Sequence, residues 1–582
     1  METGQDSESS QSIPFLRRGP DAMILLNTLA ESMMNRFYRF LLLSLGSLVC
    51  LVGTTFASDD EVVRVFIFAG QSNMVGSDSK VEDIERFPPF AGLDAPQQDV
   101  RFSYCIGREN KTRSDGWTEL QPVKGIVGPE LSFARSVTQN TSAPIAIIKI
   151  AAGGTHLGGD WNPRDPSGFE MYPLALSWVR DALSDLQRQG IRYRLEGFMW
   201  HQGENDMFDD NYRANYGKNL QQFVKHWRRD LDAPDLRFYL GELCTKTIWG
   251  MDLRPRMHEI SVGQKQVAAN DPNVEYVPTS HVGVEIGGGV GLHYHYGTLG
   301  QLEHGDNYAS AYLKHIRKQP VKSRPLGEWP YQSGARLKLF VLAGHRNMEG
   351  ERAFVQELAR MPLGKELLRD DPHVAYKYNL GGGYKKSVGW EPMGPCGYYD
   401  TFGPELSFSR VLRDNGTEDF AIAKFTHSGS QIIDWTPEGS VAETRNLYPS
   451  FITFIKDSID DLTARGHEVE LAGIFYHVGE NDMSWGPFRK GATDRVMSMI
   501  GQSRVDLELP ELTWYVSQQT PTDAEQVNHI DVSNQLATAL ASDQHVIHVK
   551  AFDPPVQEKQ LVLDSKGIVW LGDRLANEYL KR

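Results

Sequence analysis

The sequence predicts an α/β protein in two tandem domains, each with a mostly parallel, doubly wound sheet. Three observations predict it: short apolar runs that stop at glycine, a helical stripe between two of them, and the return of the same blocks in the second half. Val65-Phe66-Ile67-Phe68 is apolar at every position, the pattern of a strand covered on both faces. It stops at Gly70, which allows a tight turn, so Ser72 is delivered to the carboxyl end of a strand. Open α/β sheets hold their ligands at such ends. Ile145-Ala146-Ile147-Ile148-Lys149-Ile150 is a second run and leads to Gly153-Gly154; Leu195-Glu196-Gly197-Phe198-Met199-Trp200 is a third. Between these two, Leu174, Leu176, Val179, Leu183 and Leu186 fall at helical spacing and predict a helix laid on one face of the sheet.

The repeat is the most informative feature. Ala69-Gly70-Gln71-Ser72-Asn73-Met74 returns as Ala343-Gly344-His345-Arg346-Asn347-Met348, and Gly128-Pro129-Glu130-Leu131-Ser132-Phe133 as Gly403-Pro404-Glu405-Leu406-Ser407-Phe408. Lys149 and Gly154 return as Lys424 and Gly429, and Gly203-Glu204-Asn205-Asp206-Met207 as Gly479-Glu480-Asn481-Asp482-Met483. Four blocks in order at a shift of about 275 residues mean two whole domains rather than a solenoid. The predicted division is 1–57 as an amino-terminal extension with a signal peptide, 58–318 and 335–582 as the two domains, and proline-rich 319–334 as a stiff linker.

Net charge is −15 over 582 residues, with neither a basic stripe nor a polybasic cluster, which excludes nucleic acid and anionic membrane surfaces as partners. Arg36 and Arg39 precede an apolar run from Leu41 to Val52, and Thr55-Phe56-Ala57 supplies the small residues of a cleavage site. A membrane span needs about 20 apolar residues. The run is shorter, so export with cleavage after Ala57 is expected, to the periplasm or outside the cell, without stable membrane insertion afterwards. The alternative is an anchor through 40–56. Translation is expected to begin at Met33 or Met34, since the residues before them are unlike a leader. Beyond the leader only Cys105, Cys244 and Cys396 remain, so no disulfide framework is predicted, and their spacing matches no zinc motif.

An acyl-transfer serine needs a base, a group to orient the base, and donors for the oxyanion. Ser72 is the nucleophile candidate. Gly153-Gly154 lets a backbone N–H approach a reacting carbonyl, and Trp200-His201-Gln202-Gly203-Glu204-Asn205-Asp206 crowds polar groups at a third strand end. There Gln202 and Asn205 are candidate oxyanion or substrate contacts, and Glu204 is the candidate to orient a histidine. The base is expected just before the last helix of the domain, which Thr298 would cap with Gln301 at the capping-box position. His293 and His295 both precede it, alternating onto one face. No third ligand accompanies this His-x-His pair, so no metal is predicted. His156, His201, His281 and His304 read as structural or surface residues.

Ala69-Gly70-Gln71-Ser72-Asn73-Met74, Gly153-Gly154-Thr155 and Trp200-His201-Gln202-Gly203-Glu204 resemble the SGNH hydrolases. More narrowly they resemble the sialate O-acetylesterase and carbohydrate esterase family 6 group, which removes acetyl esters from sugars and polysaccharides. The resemblance implies flavodoxin-like three-layer α/β/α domains and Ser72 as nucleophile. It implies oxyanion donors at the Ser72 backbone, Gly154 and Gln202, an acetylated carbohydrate as substrate, and no metal or other cofactor. There is one departure. The family carries Asp three residues before its catalytic histidine, where this chain has Val290 and Leu292. Glu204 is therefore expected to steady the imidazole. Spacing to Gly300 and Gly305 favours His295 as the base, whereas the wording Gly291-Leu292-His293 favours His293.

In the second copy Arg346 replaces Ser72, Val478 replaces Gln202, and no histidine follows His548. The expectation is a silent pseudo-esterase that binds glycan, with Arg346 holding a carboxylate or sulfate, or that packs on the first domain. For the whole chain it is a secreted serine esterase that deacetylates carbohydrates. The alternative is a non-catalytic carbohydrate-binding protein with two degenerate domains.

Overall fold

The computed structural model describes residues 62–108, 112–248, 251–279, 281–284, 294–316, 324–440, 445–484, 491–518, 530–551, 555 and 561–582. The predicted leader, the start of the linker and His293 lie outside these residues. The first eight-stranded sheet comprises β1 (Val63–Gly70), β2 (Gln97–Ile106), β3 (Thr112–Arg113), β4 (Thr118–Leu120), β5 (Ile145–Ala151), β6 (Tyr193–His201), β7 (Phe238–Gly241) and, after a small hairpin of β8 (Thr247–Ile248) and β9 (Met251–Asp252), β10 (Val274–Val277). The second comprises β11 (Arg336–Gly344), β12 (Asp371–Leu380), β13 (Lys385–Lys386), β14 (Glu391–Met393), β15 (Phe420–Thr426), β16 (Glu468–His477), β17 (Trp514–Gln518) and β18 (Val546–Lys550).

The strands run in the order β10-β7-β6-β1-β5-β2, all parallel, with β3 and β4 antiparallel at the edge. The second sheet repeats this position for position as β18-β17-β16-β11-β15-β12 with β13 and β14. Even the irregularity is copied: the register of β1 on β6 slips between Val65 and Phe66, and that of β11 on β16 between Leu339 and Phe340. Both sheets are therefore mostly parallel and doubly wound, and the α/β expectation holds in two copies.

Alternation along β1 makes the three layers. Val65 and Ile67 join a core with the helices Met171–Arg188 and Tyr216–Asp230. Phe66 and Phe68 join a core with Glu130–Thr138 and Gly297–Ile316 on the other face. Of the predicted helical stripe, Val179, Leu183 and Leu186 are buried as expected, with Met171, Tyr172, Ala175 and Ala182. Leu174 and Leu176 are only partly buried, because they fall either side of the stripe that the helix turns toward the sheet.

The chain leaves β1 toward β2 on one side and later crosses to β6 on the other, so the carboxyl end of β1 is a topological switch point. Gly70 sits there at φ +155°, where a Cβ would lie 2.0 Å from the carbonyl oxygen of His201. The repeated Gly-Pro-Glu block serves the scaffold. Glu130 and Lys149 are both almost fully buried and paired at 2.7 Å, and Lys149 also donates to the Val75 carbonyl. Lys424 with Glu405, and with the Glu349 carbonyl, repeats the arrangement. The pair ties a helix, a central strand and the turn after position 72 together.

The two copies touch. Tyr399 donates to Asn307 at 2.8 Å, His281 stacks on Tyr398 at 4.6 Å, and Phe87 meets Phe354 edge-on. The described end of the linker is packed rather than loose, with Tyr331 and Trp329 set against the second core. Among the described residues no helix is long and apolar enough to cross a membrane. Because a buried charge left alone is costly, Lys149→Met is expected to destabilise the first copy by about 3–5 kcal/mol. Lys149→Met with Glu130→Leu should recover most of that loss. Urea unfolding followed by tryptophan fluorescence checks both.

Candidate active site

Ser72 opens the short helix Ser72–Val75 directly after β1 and is buried, with 7% of its surface exposed. The next residue organises the surroundings. Asn73 Nδ2 donates to Glu204 Oε1 at 2.6 Å and to the Tyr294 carbonyl at 3.3 Å, while its Oδ1 accepts from the Tyr296 N–H at 3.2 Å. The two backbone bonds bracket His295 and tie its segment to the residue after the nucleophile candidate. His295 Nδ1 meets Asp78 Oδ2 at 2.7 Å, and His295 Nε2 is buried without a hydrogen bond.

Glu204 does not occupy the role expected of it. Its Oε1 meets His201 Nε2 at 3.2 Å in addition to Asn73, and the carboxylate against His295 is Asp78. Burial works to raise the Glu204 pKa, but the facing His201 and the hydrogen bonds from His201 and Asn73 outweigh it and hold the carboxylate below its usual range. It stays an acceptor for Asn73, so it supports His295 one step removed. Asp78 has a backbone φ of +62°, the left-handed region that Asp tolerates better than most residues. The turn holding it is pinned to the last helix of the copy: Thr298 Oγ1 accepts from the Lys80 N–H at 2.8 Å and donates to the Lys80 carbonyl at 3.1 Å. Thr298 is thus a clasp on that turn, not the helix cap its position predicts, since the helix Gly297–Ile316 already includes it.

The predicted oxyanion residues divide. Gln202 Nε2 faces three protein acceptors, Gln71 Oε1 at 3.1 Å, the Thr155 carbonyl at 3.0 Å and Asp206 Oδ2 at 2.5 Å. With two N–H bonds and three acceptors it has nothing to offer a ligand, which corrects its expected donor role. Asp206, raised to about 6 by burial, accepts from the Leu157 and Gly158 N–H groups and holds the loop after Gly154. Asn205 accepts from Gln71 through Oδ1, and no acceptor meets its Nδ2 among the described residues. Gly153 lies against Ser72, where a Cβ would be 3.5 Å from that of the serine. Arg108, which the motifs did not mark, donates from Nε to the Gly153 carbonyl at 2.7 Å and from Nη2 to the Gly154 carbonyl at 3.2 Å, with its guanidinium 4.5 Å above the Phe169 ring. A trans peptide points its carbonyl and N–H in opposite directions, so this bond turns the Gly154 N–H away from Arg108.

A family model described as carbohydrate esterase, sialic acid-specific acetylesterase matches residues 62–314 and again 336–581. The chain belongs to this family. A protein of Arabidopsis thaliana named "Probable carbohydrate esterase" is 25% identical over 185 residues; the match spans 30% of this chain and 66% of that relative. Among solved structures, NanS aligns with 17% identity and a TM-score of 0.35 over 45% of this chain and all of its own length. A carbohydrate acetylesterase from Xanthomonas citri aligns with 16% identity and a TM-score of 0.32 over 45% of this chain and 59% of its own.

The second copy keeps the clamp and changes what it holds. Asn347 Nδ2 donates to the Leu561 carbonyl at 3.2 Å and its Oδ1 accepts from the Leu563 N–H at 2.8 Å, so the bracketed residue is Val562. Arg352 stands in the place of Asp78, and Ser565 repeats the Thr298 clasp by donating to the Phe354 carbonyl. Arg346 is 2% exposed and bound through Nε and Nη2 to both oxygens of Glu351, at 2.7 and 2.5 Å. Its charge is answered inside the protein, which corrects the expectation that it offers a cation to a glycan. Asn73→Ala is expected to release the 294–296 segment: the Tyr296 amide should exchange its hydrogen much faster by mass spectrometry, with a loss of about 1–3 kcal/mol in stability from the orphaned Glu204 acceptor.

Proposed function

We propose that the first copy is a serine esterase that removes O-acetyl groups from carbohydrates, and that the second copy is catalytically silent. The carrying observation is the Asn73 clamp: the residue next to Ser72 ties down both neighbours of His295, whose Nδ1 meets Asp78 and whose Nε2 is left unbonded. Family membership supports the substrate class, and the leader ending at Ala57 supports export. In this reading the Ser72 hydroxyl attacks the acetyl carbonyl and passes its proton to His295 Nε2. Asp78 accepts the Nδ1–H and stabilises the imidazolium. The oxyanion is met by the N–H groups of Ser72 and Gly154, with Asn205 Nδ2 in place of Gln202. The sugar oxygen leaves with the proton from His295, forming acetyl-Ser72. Water then gives a proton to His295 and attacks the acetyl carbon, and acetate departs as Ser72 recovers its proton. Glu204 and Arg108 are positioning residues, the first for the histidine segment and the second for the Gly153–Gly154 peptide. In the second copy Arg346, Val562 and Arg352 at the corresponding positions supply neither nucleophile, base nor acid.

Ser72→Ala should abolish both fluorophosphonate labelling and release of p-nitrophenol from its acetate ester; labelling that survives removes Ser72 from the mechanism. Asp78→Asn should lower kcat by about 10²–10⁴ with KM little changed, as when the acid of a serine triad loses its charge. Arg108→Ala should lower kcat by about 10–10² on p-nitrophenyl acetate and on an O-acetylated acidic sugar alike. A loss confined to KM for the acidic sugar would instead make Arg108 a substrate contact.

A further inference from the structure

One glutamate lies differently in the two copies, and the difference decides whether two backbone N–H groups are free. In the second copy Glu480 Oε2 accepts from the Arg346 N–H at 3.1 Å, and its Oε1 from the Asn347 N–H at 3.1 Å. Their counterparts are the N–H groups of Ser72 and Asn73. In the first copy Glu204 Oε1 instead meets the Asn73 side chain at 2.6 Å and His201 Nε2 at 3.2 Å, and its Oε2 is buried without a partner. Among the described residues neither the Ser72 N–H nor the Asn73 N–H then has an acceptor.

The cause lies in the histidine behind each glutamate. His201 and His477 end β6 and β16 and are fully buried. His477 is in register with Ser517 on β17, and its Nδ1 meets the Ser517 hydroxyl at 2.8 Å. That hydroxyl donates to the Tyr476 carbonyl at 3.4 Å, so it accepts from Nδ1, which carries the ring hydrogen. Nε2 is then bare. It accepts from Asn347 Nδ2 at 3.5 Å and, although also 3.5 Å from Glu480 Oε1, has no hydrogen to give it. The corresponding residue of β7 is Gly241, where a Cβ would lie 2.5 Å from His201 Nδ1. With no side chain there, Nδ1 is buried without a partner, so the hydrogen sits on Nε2 and is given to Glu204. The charges follow. Burial raises the Glu480 pKa to about 8; burial acts on Glu204 too, but His201 and Asn73 outweigh it and hold that carboxylate below its usual range.

We propose that His201, with its hydrogen on Nε2, is a positioning residue for the esterase reaction: it keeps Glu204 off the N–H groups of Ser72 and Asn73. The inference rests on the reading of Ser72 as nucleophile with its own N–H as an oxyanion donor. A carboxylate bound to that N–H is an anion already in the place of the oxyanion, and losing one such donor costs about 10²–10³ in rate. The second copy has therefore lost more than its nucleophile. Its own glutamate occupies the donor that a serine restored at position 346 would need.

The test uses the full-length chain and p-nitrophenyl acetate. His201→Leu, which keeps much of the bulk and removes the donor, should lower kcat by about 10²–10³ with KM little changed. Adding Glu204→Ala should recover at least about tenfold, because the covering carboxylate is gone while Asn73 still holds both neighbours of His295. His201→Gln, whose amide can donate from the Nε2 position, should retain most of the wild-type kcat. A histidine that serves packing alone would make the double variant slower than either single one. In a crystal structure of His201→Leu the Glu204 carboxylate should lie on the Ser72 and Asn73 N–H groups, a pose read without reference to activity. Glu204 still on the Asn73 side chain alone, or a double variant no faster than His201→Leu, overturns the proposal. A wild type that does not turn over the ester would sink the esterase reading instead, and the crystal structure alone would then decide.

Discussion

A buried asparagine amide must find its partners inside the protein, and in each copy that requirement fixes where the chain's last loop lies. Asn73 spends its side chain on the backbone of Tyr294 and Tyr296, and on Glu204. The bond to Tyr294 spans 221 residues of sequence. Because the two backbone bonds fall either side of one residue, whatever stands between them is presented at the switch point of the sheet. In the first copy it is an imidazole, in the second Val562. The clamp is therefore indifferent to chemistry, and it survives where chemistry is gone.

The same separation of scaffold from chemistry runs through the duplication. The buried lysine–glutamate pairs, the hydroxyl clasps at Thr298 and Ser565, and the carboxylates Asp206 and Asp482 holding the loop after the second strand end all persist. What changed are the groups that face the space above β1 and β11: serine to arginine, histidine to valine, aspartate to arginine. Filling that space has its own logic. Arg346 with Glu351 replaces a small hydroxyl by an ion pair, and the loops of the first copy lie against it. Glu303 on the first copy's last helix is pushed well above the carboxylate range by burial and then by Glu351, so the two copies meet through groups whose charges depend on one another.

Much of the fold was legible in the sequence because strands covered on both faces leave a nearly unbroken apolar record, interrupted in Ile145 to Ile150 by Lys149 alone. Val65 to Phe68 and Ile145 to Ile150 could only be central strands, and the glycines after them mark where the chain turns. The stripe was read less well, since Leu174 and Leu176 are apolar yet lie beside the buried face. At the candidate site the motifs brought Ser72, Gly153, Gly154, Gln202, Glu204 and Asn205 to one end of the sheet. They misassigned the carboxylate. A glutamate in a recognisable block drew the role of orienting His295, whereas the carboxylate in contact is Asp78, six residues beyond the serine in a turn without a motif.

What the sequence by itself determined is the architecture and its duplication, because apolar periodicity and repeated blocks are properties of order along the chain. It also determined that position 346 carries no nucleophile. Only the tertiary structure decided which carboxylate meets His295, that Gln202 is spent on its neighbours, and that Arg346 is answered by Glu351. Each depends on which acceptor lies within about 3 Å of a donor once loops far apart in sequence have met, and that distance has no record in composition or spacing.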